Sequence, residues 1–119
     1  MTVESAIFDA LKGLVSNRVF PDVAPLSTAL PYITYQQIGG EAFAYIENTT
    51  LPDAKNGRFQ VNVWATTRAA AAALMLQAEA ALIQSSAFQA RAVGAPAATH
   101  EPDLNLYGAM QDFTVWSTR

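Results

Sequence analysis

A chain of 119 residues with no cysteine and a formal net charge of −3 makes one ordinary domain, able to bury about two thirds of its unfolded surface without a disulfide or metal staple. The missing thiols exclude a disulfide framework, a thiolate metal site and a cysteine nucleophile. Its seven Lys and Arg residues are scattered, which argues against the clustered basic footprint of a nucleic-acid binder.

In chain order, Met1-Thr2-Val3-Glu4-Ser5 lacks the basic region and apolar run of a signal peptide, and no stretch is apolar enough to span a bilayer. Synthesis into the cytoplasm is expected, and Asn48-Thr49-Thr50 then has no meaning as a glycosylation acceptor. Thr2 can cap a first helix in which Ile7, Phe8, Leu11, Leu14 and Val15 recur at spacings of three and four, with Ser16-Asn17 and Pro21 setting its end. Residues 16–31 read as connection, with one short edge strand at Arg18-Val19-Phe20 because Pro21, Pro25 and Pro31 interrupt anything longer. Pro31 to Ile38 is rich in aromatic and β-branched residues and ends at Gly39-Gly40, which predicts a strand. Glu41 to Glu47 is a candidate further strand, and Asn48 to Gly57 reads as the longest loop, closed by the turn signal Asn56-Gly57.

Arg58 to Ala65 alternates strictly, with Phe59, Val61, Val63 and Ala65 on a core face and Arg58, Gln60, Asn62 and Trp64 on the other. Thr66 or Thr67 then opens a long alanine-rich helix running from Arg68 to Gln84. Its core stripe is expected along Ala69, Ala72, Leu76, Ala80 and Ile83, widened by Met75, Ala78 and Leu82, with Gln77 and Gln84 opposite. A girth this apolar points to a core helix on one face of a sheet, or to partner packing through its alanine side. Phe88 to Val93 predicts a short strand, Gly94 to Asp103 a loop, and Leu104 to Trp116 a long last strand with a bulge or bend at Gly108. The class is α+β: a mostly antiparallel sheet of about four to five strands with two helices packed on one face, in a single domain over residues 1–119.

Candidate chemistry is sparse. His100 is the single histidine, and beside Glu101 and Asp103 it reads as part of a solvated loop rather than a metal cluster. The carboxylates are dispersed along the chain, and no phosphate loop or Gly-x-Ser-x-Gly elbow is present. No catalytic, cofactor-binding or metal-binding residue is therefore assigned.

Arg18-Val19-Phe20-Pro21, then Pro31-Tyr32-Ile33-Thr34-Tyr35-Gln36-Gln37-Ile38, then Arg58 to Ala65 followed by a helix, and finally Gln111-Asp112-Phe113-Thr114-Val115-Trp116 together resemble the small tail-completion, or tail-terminator, proteins of long-tailed bacteriophages and prophages. The likeness spans nearly the whole chain and rests on strand signatures. It implies a subunit, made in the bacterial host cytoplasm, that forms a hexameric ring at the head-proximal end of the virion tail. Such a ring stops polymerisation of the tail tube protein, offers a surface to the head-tail connector protein and lets DNA pass without specific binding. The free protein is expected to be mainly monomeric and to form rings on the tube end. The arm from Asn48 to Gly57 is expected to be mobile in the free subunit and to contact a neighbour or the tube, with Leu51 as apolar anchor and Asp53, Lys55 and Arg58 as charged neighbours. Two other roles stay open on this reading: a different head-tail connector or minor tail protein, and a small ligand-binding or regulatory domain using an apolar pocket between sheet and helices.

Overall fold

A computed structural model describes residues 2–41 and 54–118. The chain runs α1 (Val3–Leu11), a 3-10 turn (Lys12–Leu14), β1 (Val19–Pro21), β2 (Tyr32–Gly39), β3 (Ala54–Ala65), α2 (Arg68–Gln84), β4 (Gln89–Ala92), β5 (Ala97–Glu101) and β6 (Leu106–Thr118). Both helices start on threonine caps, as the local sequence requires: Thr2 Oγ1 accepts from Ser5 N–H and Thr67 Oγ1 from Ala70 N–H, each at 3.1 Å. Beyond α1 the chain reverses through left-handed Ser16 and Asn17.

The six strands form one sheet in the order β1-β2-β3-β6-β4, with β5 also paired to β6. All pairings are antiparallel except β1 with β2. The sheet is thus larger than the four to five strands expected. β3 and β6 form its spine, paired without interruption from Ala54 opposite Thr118 to Ala65 opposite Tyr107. Strand alternation sends Ile33, Tyr35, Phe59, Val61, Val63, Ala109, Phe113 and Val115 to one face, where they share a single core with Ala6, Ile7 and Leu11 of α1 and Leu74, Met75, Ala78 and Leu82 of α2. Both helices therefore cover one face, as alternation in the strands predicts.

Four local expectations are corrected. First, Asn56-Gly57 is not a turn but lies within β3, opposite Trp116 and Val115. Its residue types serve close packing instead. Asn56 Oδ1 accepts from Glu41 N–H at 2.8 Å while its Nδ2 donates to Thr114 Oγ1 at 2.7 Å. A Cβ on Gly57 would stand 2.7 Å from the Phe59 ring, so only glycine fits beneath that side chain. Second, the segment from Gly94 to Asp103 is not all loop, since Ala97–Glu101 pairs with β6 as a strand. Small alanines carry little strand propensity of their own, and the β6 ladder supplies the pairing. β4 is also shorter than Phe88 to Val93, and the chain between β5 and β6 turns through left-handed Asn105. Third, Gly108 marks no bulge, because the β3–β6 register passes straight through it. Fourth, the buried stripe of α2 is Ala71, Leu74, Met75, Ala78 and Leu82, whereas Ala69, Ala72, Leu76, Ala80 and Ile83 face outward. An apolar girth gives a helix no polar face to set its rotation, so Leu74, Met75 and Leu82 fill the core with Ala71 and Ala78 between them, while Leu76, Ile83 and the alanines beside them remain outside. All but Glu41 of the candidate strand from Glu41 to Glu47, and most of the loop from Asn48 to Gly57, lie outside the described residues.

Candidate functional site

Three surfaces stand out around this frame. The outer side of α2 carries Ala69, Ala72, Ala73, Leu76, Ala80 and Ile83, with Leu76 66% and Ile83 48% exposed. The spacings of three and four run these residues along the helix as one stripe, and the fourteen rises of 1.5 Å from Ala69 to Ile83 make it roughly 20 Å long. No charged side chain interrupts the stripe, since Arg68 precedes it and Glu79 turns inward to accept from Gln111 Nε2 at 2.7 Å. An exposed apolar helix face of this length is a candidate contact surface. Beside it lies a recess of about 260 Å³ lined by Ala72, Leu76, Pro96 and Ala98, with Arg68 at its rim. Arg68 is held there by Tyr107, whose ring centroid is 5.5 Å from the guanidinium.

The second surface is an open groove of about 740 Å³ on the sheet face away from the helices. Thr34, Gln36, Gln60, Asn62 and Trp64 of β2 and β3 line it, with the turn from Asp22 to Thr28 on one side and Glu101, Leu104 and Leu106 on the other. Arg18 fixes the far end of that turn, its Nε donating to Pro31 O at 2.9 Å. Neutral amides and two carboxylates face the groove, and none of its described lining residues is Lys or Arg. Burial holds the Tyr32 phenol above its usual pKa. Burial does the same for Tyr35, with further upward pushes from the carboxylates of Glu4 and Asp22. Both rings are therefore neutral hydrogen-bonding groups across the ordinary pH range.

The third is the end of the β2–β3 pair that carries Gly39 and Arg58. Of the contact residues expected from the sequence, Leu51 and Asp53 lie outside the described residues. Lys55 sits in β3 opposite Ser117, half-buried. Arg58 is in the same strand but is engaged within the fold, its Nη2 2.8 Å from Asp112 Oδ2. Lys55, expected on the loop, lies instead on β3 together with Arg58, whose place on that strand is as expected. His100 lies in β5 rather than in a loop and stacks on Tyr107, ring centroids 4.5 Å apart. Among the described residues no group of three or more His, Asp or Glu side chains converges as a metal site requires. Sequence reasoning missed the groove, and it set the outward stripe of α2 in the core, with partner packing through the alanine side as the alternative. The exposed Val23 and Leu26 on a Pro-containing turn were the available signal for the groove.

A family model described as tail completion protein gp17 matches residues 5–118. No curated protein matches the chain. A solved structure aligns with 98% of this chain and 90% of its own length at a TM-score of 0.54 and 16% sequence identity, a likeness of fold alone.

Proposed function

This chain belongs to the tail completion protein gp17 family of bacteriophage tail proteins, and from that premise we propose that it forms a hexameric ring capping the tail tube at its head-proximal end. The ring ends tube growth and contributes to head-tail joining, with the tail tube protein on one side and the head-tail connector on the other. The observation that carries the reading is the family match over residues 5–118, nearly the whole chain.

Several features of the molecule support it. A ring is closed by heterologous contacts and needs surfaces that are apolar or hydrogen-bonding without being part of the monomer's core. The charge-free outer stripe of α2 and the strands at the two sides of the sheet are such surfaces. Leu51, Asp53 and Lys55 are proposed as contacts to a neighbouring subunit or to the tube. A net charge of −3 and the pairing of Arg58 with Asp112 suit a ring through which DNA slides, because no cluster of free cations is offered for counterion release.

Electron microscopy of the purified protein with tail tube subunits tests the proposal. Rings seated on one end of each tube are expected. A connector or minor tail role predicts binding to the connector with bare tube ends, and that outcome would replace this reading.

A further inference from the structure

On the ring reading, on which this inference rests, neighbouring copies must meet through defined sides. Rotational closure requires one side of the subunit to fit the opposite side of the next copy. The sheet ends on one side at β1 and on the other at β4.

Beyond β1, Asp22 has φ 61° and donates its N–H to Tyr35 O at 2.8 Å, while Val23 N–H donates to Pro21 O at 2.7 Å. Ser27 closes the turn with φ 64°, and Thr28 N–H donates to Pro25 O at 3.3 Å. Two non-glycine residues thus occupy a backbone region that L-residues rarely adopt. The turn they shape holds Val23 and Leu26 in water, 76% and 95% exposed. These side chains contribute nothing to the core, so the turn is shaped for an external contact.

On the other side, Ala90 and Ala92 of β4 pack against the core. Alternation therefore turns Arg91, paired opposite Thr114, to the sheet face that also carries the groove and Asp22. Arg91 is exposed, and Val93 just beyond it is 47% exposed. Among the described residues the ion pairs are Asp9 with Lys12 and Arg58 with Asp112, and neither involves Asp22 or Arg91. Each side of the sheet thus presents, on the same face, one charge outside these pairs beside exposed aliphatic carbon, and the two charges are opposite in sign.

We propose that a second copy docks edge to edge in the ring: Arg91 of β4 pairs with Asp22 of the next subunit, and Val93 packs against that subunit's Val23 and Leu26. Complementary charge then fixes which side meets which and disfavours like sides meeting.

The test uses D22R, R91D and their equimolar mixture, each scored by electron microscopy for rings on tube ends under conditions where the wild type forms them. Each variant alone is expected to lose rings while still melting in one cooperative transition, that of D22R somewhat lower because arginine tolerates the positive φ at position 22 less well than aspartate. The mixture is expected to regain them, because in an alternating ring every junction again joins an arginine to an aspartate. A second variant, Val23→Glu with Leu26→Glu, removes the aliphatic half of the contact and is expected to lose rings without mixture rescue. Rings formed by D22R or R91D alone, or a mixture that stays without rings, would overturn the contact while leaving the ring reading intact. Absence of wild-type rings would instead overturn the ring reading and this contact with it.

Discussion

Replacing Gly108 by alanine tests the packing that joins the groove to the spine of the sheet. Gly108 sits in β6 opposite Trp64 of β3 and opposite Thr99 of β5. A Cβ there would stand 2.7 Å from Thr99 Oγ1 and 2.8 and 2.9 Å from Cε3 and Cζ3 of the Trp64 ring. Separations below 3.0 Å force movement, and an indole and a β-branched side chain between paired strands yield poorly. Overpacking of this kind costs about 1–3 kcal/mol. Against it, alanine restrains the unfolded chain and gains about 0.5–1 kcal/mol over glycine within a strand. A net loss of about 1–2 kcal/mol follows, or a fall in thermal midpoint of roughly 4–8 °C for a domain of this size. Thermal melts followed by circular dichroism measure it, and Trp64 emission should change as the indole is displaced into the groove. Adding Trp64→Leu should couple favourably with Gly108→Ala in a double-mutant cycle, since the clashing ring atoms are gone. A Gly108→Ala variant that melts at or above the wild-type midpoint would refute the packing, because only the entropic gain would then remain.

Val61 is 1% exposed, so Val61→Asp should cost at least about 4 kcal/mol by burying an unpaired carboxylate, and an unchanged urea midpoint would mean that the two faces of β3 are assigned the wrong way round. Burial holds the phenols of Tyr32 and Tyr35 above their usual pKa; the folded state therefore keeps protons that the unfolded chain releases near pH ~10. Their contribution is full below that pH and is lost as pH rises from it through the higher folded-state values, so Tyr35→Phe should flatten the alkaline decline in stability, and an unaltered decline would contradict the assignment. Leu76→Asp combined with Ile83→Asp alters only the outer face of α2, so its melting should stay within about 1 kcal/mol of wild type while tube capping is lost; capping at wild-type levels would remove that face as a contact.

The ends of α2 and the two faces of β3 were legible from sequence because each rests on local chemistry: Thr67 as a cap, and strict alternation from Phe59 to Ala65. The rotation of α2 was not legible, since alanines on every side leave the hydrophobic pattern without a direction, and only the packing of Leu74, Met75 and Leu82 against β3 and β6 settles it. Asn56-Gly57 carries a strong turn signal, yet tertiary contacts from Glu41, Phe59 and Thr114 place it in a strand. Ala97–Glu101 is a strand only because β6 extends far enough to pair with it. The groove was hidden for a similar reason. Its walls come from the β1–β2 turn and the β5–β6 turn, distant in sequence and joined only by the sheet order. Family resemblance carried the functional reading where residue chemistry had no site to offer, and the match over residues 5–118 bears out the family.

The most direct measurement is the length distribution of tail tubes polymerised in the presence of increasing amounts of this protein. The account predicts that tubes shorten and stop growing at one end as the protein approaches one hexameric ring per tube, with that ring visible on each arrested end. Tubes of unchanged length with bare ends at saturating protein would contradict it.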